Sequence, residues 1–300
     1  MARWFETKSE DNNLRKYSKR RLGDNSIRQF FRKFSITNWI IFVNVIVYLF
    51  ILFLIPVFGL EKIVSVVGLE ADKFFSGSYW TVFTSMFVHI EAWHILANMV
   101  SLFFIGNFVE KLIGRKRFFW LYILSGLFAG LLYVFLSYYF GASIIGAKLF
   151  GSPSIFAVGA SGAIFSLLGI LAFLTPYTKV YLIAGPVIAL ILQSVFSSIF
   201  PNSSILPILD TILTVYVFIS IFSMFSFNSK MMKIALPLKM PFWLLPIIAI
   251  VPLVLIGLFV DLPIGNSAHF GGLIAGLCYG FYLRKKYKQK TDMMRRYFSN

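Results

Sequence analysis

The stretch Gly159-Ala160-Ser161-Gly162, followed by the apolar run Ala163 to Leu174, turns a polar loop into a helix. A serine flanked by Gly159 and Gly162 can be approached closely by other backbones, because the glycines carry no side chain. Small residues four apart in a membrane helix also serve close helix packing and nothing more. The stretch alone does not separate these readings. Its apolar span, 159–175, is at the short end for a membrane crossing. The helix start is therefore expected to be recessed below the membrane surface, where water must be admitted.

The surrounding chain sets the class. Of 300 residues, 58% are hydrophobic and 13% charged, with a mean hydropathy of +0.80. A soluble domain carries about a quarter charged residues. The composition therefore predicts an all-α polytopic membrane protein. The net charge of +16 does not point to nucleic acid, because the charges stand at the ends of apolar segments, where they read as topology signals. The single cysteine, Cys278, lies in an apolar segment and excludes an internal disulfide.

A crossing helix needs about twenty apolar residues. That length rule yields eight candidate spans, at 38–58, 93–113, 118–140, 159–175, 180–200, 205–227, 241–260 and 267–283. With both termini inside, only Lys62, Lys73 and Lys148 of the 28 Lys and Arg residues fall in outer loops. This asymmetry supports an orientation with N- and C-termini in the cytoplasm. Residues 1–37 then form a basic cytoplasmic tail that includes Arg15, Lys16, Lys19, Arg20 and Arg21, either simply solvated or lying on anionic lipid. Residues 285–300 form a basic C-terminal tail. The segments 180–200 and 205–227 are alternatively a re-entrant or interfacial pair, which leaves the parity unchanged. The long outer loop 59–92 carries Trp80, Phe83 and Phe87, aromatics suited to the membrane interface.

The chain has three histidines, His89, His94 and His269. A histidine inside a membrane span is costly and points to function. In the eight-span topology the helices bearing Ser161 and His269 both begin outside and run inward, and His94 and Asn98 stand at the outer start of another span. All can meet in one recess open to the outside. A serine hydroxyl is a weak nucleophile until a base takes its proton, and His269 is the natural base. The one acid within sequence reach of His269 is Asp261, on the outer loop, so a Ser–His dyad is expected and not a triad. Attack on a carbonyl builds charge on oxygen that needs donors in a water-poor site. His94 and Asn98, spaced i,i+4 on one helix face, can point there together with the Ser161 backbone N–H. After His269, Gly272 and Gly276 continue a small-residue face from Ala268, expected to pack on Gly159, Gly162 and Ala163 and so bring serine to histidine. Along the second span, His94, Asn98, Leu102, Gly106, Glu110 and Gly114 recur every four residues, with Glu110 expected to bond helix ends or loop donors.

These pieces together resemble the rhomboid family of intramembrane serine proteases: His89 with the His94-to-Gly114 ladder, Gly159-Ala160-Ser161-Gly162, and His269 with Gly272 and Gly276. The resemblance covers most of 36–284. It implies a six-helix core within a protease domain at 38–284 and cleavage of transmembrane protein substrates near their outer ends, in the lipid bilayer of a prokaryotic cell. It implies Ser161 as nucleophile, His269 as general base, and His94, Asn98 and the Ser161 amide as the oxyanion site shaped by Gly159. No cofactor or metal is implied. Trp80-Thr81 stands where the family carries Trp-Arg, and Phe165 stands where an aromatic, commonly tyrosine, stacks on the histidine. One intervening helix would need about half of the chain between Ser161 and His269, so 179–230 reads as an inserted helical hairpin, and Leu236 to Met240 followed by 241–260 resembles the family's fifth helix.

Two other classes compete. A non-catalytic rhomboid-like protein that binds membrane clients typically lacks the serine or the histidine, and this chain has both. A transporter or channel would show acidic residues in its spans and paired interruptions in two halves; the spans here hold almost no acids.

Overall fold

The structure is a computed structural model and describes residues 34–223, 232–258 and 265–299. The basic N-terminal tail up to residue 33, Lys230 and Asp261 lie outside the described residues. The chain runs through α1 (Ile36–Phe58), α2 (Ala92–Ile113), α3 (Arg115–Phe140) and α4 (Ser161–Leu174). Strand β1 (Lys179–Ile183), α5 (Ala184–Ile199), α6 (Leu206–Ser223) and strand β2 (Pro237–Pro241) follow, and then α7 (Leu245–Gly257), α8 (Asn266–Lys286) and α9 (Lys288–Ser299). Among the described residues, α1, α2, α3 and α6 are long and apolar enough to cross a membrane; α4 and α5 are shorter apolar helices. The protein is a mostly helical, multi-pass membrane protein.

The start of α1 and the end of α2 are joined by one carboxylate. The first N–H groups of a helix have no intrahelical partner and carry partial positive charge. Glu110 of α2 accepts from the Ile36 and Thr37 amides at 2.9 and 2.8 Å and from the Thr37 hydroxyl at 2.7 Å. This is the end-capping role expected for Glu110. Gly106, one turn earlier, leaves room for Thr37, whose Cγ2 would lie 2.8 Å from a Cβ there. Between them the His94-to-Gly114 ladder passes through a π-helical turn at Leu102–Gly106, so the stripe leaves the α4 side and ends on α1.

α4 is the most enclosed helix. Ala163, Leu167, Ile170, Leu171 and Leu174 are almost fully buried. Its 14 residues span about 21 Å, less than a hydrocarbon core of about 30 Å. α8 lies along it with backbones nearly touching. A Cβ on Gly272 would strike the Gly162 carbonyl, and one on Gly276 the Ser166 carbonyl. Gly169 meets the α8 backbone at Leu273, and Gly280 meets Phe173. The small-residue face on α8 is therefore as expected, and of its expected partner face Gly162 holds its place while Gly159 and Ala163 do not. The partner face runs Gly162–Ser166–Gly169–Phe173, because these recur on one side of α4. Ala163 instead turns to Gly126 of α3, and Gly159 turns to α2. Ser125 of α3 donates to Ser166 at 2.7 Å across the third contact.

The segment expected as one span at 180–200 begins as a strand. β1 and β2 pair antiparallel, with Val180 opposite Met240 and Ile183 opposite Pro237. Pro237 and Pro241 lack the N–H a helix interior would use, and β-branched Val180 and Ile183 suit a pleated ladder. Of residues 236–240, read as leading into a helix, Pro237 to Met240 are likewise extended, and Leu236 before them is left-handed at φ 49°. The ladder brings the chain that leaves α4 beside the chain that enters α7, reinforced by Phe242 N–H to Thr178 O at 2.9 Å. The α5–α6 hairpin hangs from this neck. Its buried Ala189, Val217 and Ile221 pack with Leu96 and Val100 of α2.

The C-terminal tail is not plain coil. α9 buries Thr291 and Met294 completely and sets Phe298 against Phe108 at 5.5 Å. Its apolar residues at i, i+3 and i+7 make one face, hidden in the sequence by the basic residues between them.

Candidate active site

The site is built where a loop, the start of α2 and the starts of α4 and α8 converge. The loop between α1 and α2 supplies the frame. Trp80 donates its indole N–H to the Val66 carbonyl at 2.9 Å, Thr84 its hydroxyl to Val67 at 2.8 Å, and buried Thr81 its hydroxyl to Ser78 at 2.6 Å. With Thr81 beside Trp80 in place of an arginine, these bonds anchor the loop. The frame then grips the segment before Ser161. Leu69 and Ala157 exchange backbone bonds of 3.0 and 2.7 Å, and the Gly159 amide donates to the Ser85 carbonyl at 2.8 Å.

His89 completes that grip. It is fully buried, and its Nε2 accepts from the Ala160 amide at 3.4 Å. Acceptance at Nε2 requires a neutral ring with the proton on Nδ1. Burial first, and the neighbouring His94 second, push its pKa down to about 3, so the ring is neutral throughout the physiological range. The sequence marked His89 as notable but not as the support for the residue before Ser161; its partner is a backbone amide, which no motif spells.

Gly159 has φ +119°, a conformation that side chains resist. A Cβ there would stand 2.7 Å from His94 Nε2 and 3.8 Å from Asn98 Nδ2. The ends of both side chains thus face the turn that delivers Ser161. Asn98, 6% exposed, spends one amide hydrogen on the His94 carbonyl at 3.0 Å and keeps the other. Glu91 lies 3.7 Å from His94 Nδ1, and this contact holds the Glu91 carboxyl below its usual range. The His94 ring also meets His89 edge-on at 5.0 Å.

Ser161 is the first residue of α4, so its backbone N–H has no intrahelical partner. Its Oγ lies 2.8 Å from His269 Nε2, across 108 residues of sequence. Phe165, one turn along α4, stacks on the His269 ring with centroids 4.3 Å apart and planes 13° apart. The close approach of Gly162 to Gly272 brings these two helix starts together. Every site residue expected from the sequence, Ser161, His269, His94, Asn98, Gly159, Phe165, Gly272 and Gly276, is found in this cluster or in the helix contact beneath it. Such an arrangement can remove a proton from Oγ and offer N–H donors to an anion formed beside it.

A family model described as the Rhomboid domain matches residues 76–209 and 211–286. RHOMBOID-like protein 1 of Arabidopsis thaliana is 41% identical over 90 residues, 30% of this chain and 19% of the relative. Rhomboid protein 1, mitochondrial, of Saccharomyces cerevisiae is 32% identical over 107 residues, 36% of this chain and 28% of the relative. Rhomboid protease AarA of Providencia stuartii is 28% identical over 138 residues, 44% of this chain and 48% of the relative. The similarity thus spans less than half of each relative's length. The family match, by contrast, takes in most of the chain, including all three histidines, Ser161 and the glycine face of α8, and on that extent the protein belongs to the rhomboid family.

Proposed function

We propose that this protein is an intramembrane serine endopeptidase in which Ser161 attacks and His269 acts as base. The observation that carries the reading is the 2.8 Å approach of Ser161 Oγ to His269 Nε2, with Phe165 holding the imidazole flat. His269 takes the Oγ proton as the oxygen adds to a substrate carbonyl. The oxyanion is met by the Ser161 N–H, the spare Asn98 amide hydrogen and His94 Nε2–H. His269 then passes its proton to the leaving amine, and the acyl-enzyme is hydrolysed by water activated in the same way. The dipole of α4 points its positive end at the developing charge. His94, Asn98 and Gly159 shape this pocket; Phe165, Gly272 and Gly276 support the dyad.

The substrates are transmembrane protein segments. A helix exposes no free carbonyl until it unwinds, and unwinding in lipid leaves polar groups unpaired. Substrates with Gly, Pro or small residues near the outer boundary are therefore favoured. The protease domain is 38–284, a six-helix core of α1, α2, α3, α4, α7 and α8, with the α5–α6 hairpin inserted at 179–230 and basic tails at 1–37 and 285–300. The β1–β2 neck supports the insertion, since it lets the chain leave and rejoin the core at one point. The termini face the cytoplasm, and the protein resides in a prokaryotic cell membrane.

A fluorescent fluorophosphonate tests the dyad on the full chain in detergent. Labelling of the wild type that vanishes in Ser161→Ala and His269→Ala supports it. A folded wild type that takes no label overturns it in favour of client binding, and label surviving in Ser161→Ala overturns the choice of nucleophile.

A further inference from the structure

At the far end of α4 from Ser161 lies a cleft of about 440 Å³, lined by Phe173, Pro176, Tyr177, Trp243 and Arg295 among others. The Arg295 guanidinium, from α9, lies 5.7 Å from the centroid of the Phe173 ring, and Arg284 of α8 lies 5.8 Å from the same centroid. Arg295 donates through Nη2 to the Phe173 carbonyl, in the last turn of α4. Its Nε is buried and has no hydrogen-bond partner. A buried guanidinium donor left unpaired is costly. Burial first, and then the nearby Arg284 charge, hold Arg295 below the ordinary guanidinium range; Asp292, one turn earlier, opposes this without forming an ion pair among the described residues.

Two like charges at one ring, an unpaired donor and an open cleft call for an anion. The rim says which kind. Trp243 and Tyr177 are 44% and 62% exposed, as aromatics are where a protein surface meets the headgroup layer. We propose that this cleft seats the phosphate of an anionic phospholipid, which accepts from Arg295 Nε and neutralises the Arg284–Arg295 pair, while Trp243 and Tyr177 flank the headgroup. Through the Arg295 bond to Phe173, an occupied cleft fixes the foot of the helix whose other end carries Ser161. The site stands on this geometry whether or not the serine is catalytic.

The test is the unfolding midpoint of the full chain in nonionic detergent, titrated with phosphatidylglycerol, phosphatidylcholine or inorganic phosphate. Phosphatidylglycerol should raise the midpoint progressively, as a ligand of the folded state does, and the other two should not. Arg284→Gln with Arg295→Gln should abolish the shift. Lys285→Gln with Lys288→Gln, which removes the same charge outside the cleft, should retain it. Equal shifts by both lipids, an equal shift by inorganic phosphate, or a full shift in the double arginine variant would overturn the proposal. Should that variant not fold, brominated lipids give the answer in other chains. Brominated phosphatidylglycerol should quench tryptophan emission more than brominated phosphatidylcholine, and Trp243→Phe should remove the excess; no excess in the wild type also overturns it.

Discussion

Phe165 lies flat against His269, ring centroid to centroid at 4.3 Å, on the side chain that contacts Ser161 Oγ. The stack restrains the imidazole plane without using a hydrogen bond. Aromatic pairs contribute about 0.5–1.5 kcal/mol beyond buried area. Phe165→Leu should therefore lower the rate of fluorophosphonate labelling by roughly threefold to tenfold, whereas Phe165→Tyr, which keeps the ring face, should stay near wild type. Equal loss in both would mean that the ring's edge and not its face matters.

Gly159→Ala should be far more damaging than its size suggests. At φ +119° a non-glycine residue adds about 1–3 kcal/mol of strain, and its Cβ would press on His94 Nε2. Labelling should fall by at least tenfold, with a lower unfolding midpoint.

The α4–α8 contact grades substitutions by depth. At Gly272 an added methyl meets the Gly162 backbone carbonyl, which cannot move without the helix, whereas at Gly280 it meets the Phe173 side chain. Gly272→Ala should part Ser161 from His269 and abolish labelling. Gly280→Ala should keep labelling within a few-fold of wild type. The comparison is read from labelling rates of the two folded variants.

Glu110→Gln should cost stability without touching chemistry. The carboxylate accepts three bonds from Ile36 and Thr37, and hydrogen bonds to a charged group are worth about 1.5–3 kcal/mol each. The amide keeps only one accepting oxygen. A lowered unfolding midpoint with an unchanged labelling rate per folded molecule is expected.

His89 sets an acid limit on the fold. Its folded pKa, about 3, lies below the ordinary value of 6.5, so the unfolded chain takes up a proton first. The stability it contributes is full above about pH 6.5 and declines as pH falls from there toward 3. Of the charged groups facing the ring, His94 pushes this pKa down and Glu91 pushes it up. In His89→Asn the loss of unfolding midpoint between pH 7 and pH 5 should be smaller than in wild type, measured in the same detergent.

Much of this molecule is written locally. Apolar run lengths and the segregation of Lys and Arg are one-dimensional properties, so the membrane class and most helices follow from them. The pairing of Ser161 with His269 was also legible, because helix polarity and a glycine face constrain which ends can meet. What the sequence left open depends on backbone partners. The Ala160 amide on His89, the Ser85 carbonyl on Gly159, and the turn of Gly159 toward α2 and not α8 leave no side-chain pattern to read. The β1–β2 neck was hidden for a related reason: Val180 and Ile183 suit a strand or an apolar helix equally until a second strand arrives from residue 237. The amphipathic α9 was masked by charge. Composition and periodicity determined that the chain enters the membrane and which helices carry polar residues. Only tertiary packing decided which backbone groups hold the serine turn, because a hydrogen bond between distant main-chain atoms exists only once the fold has brought them together.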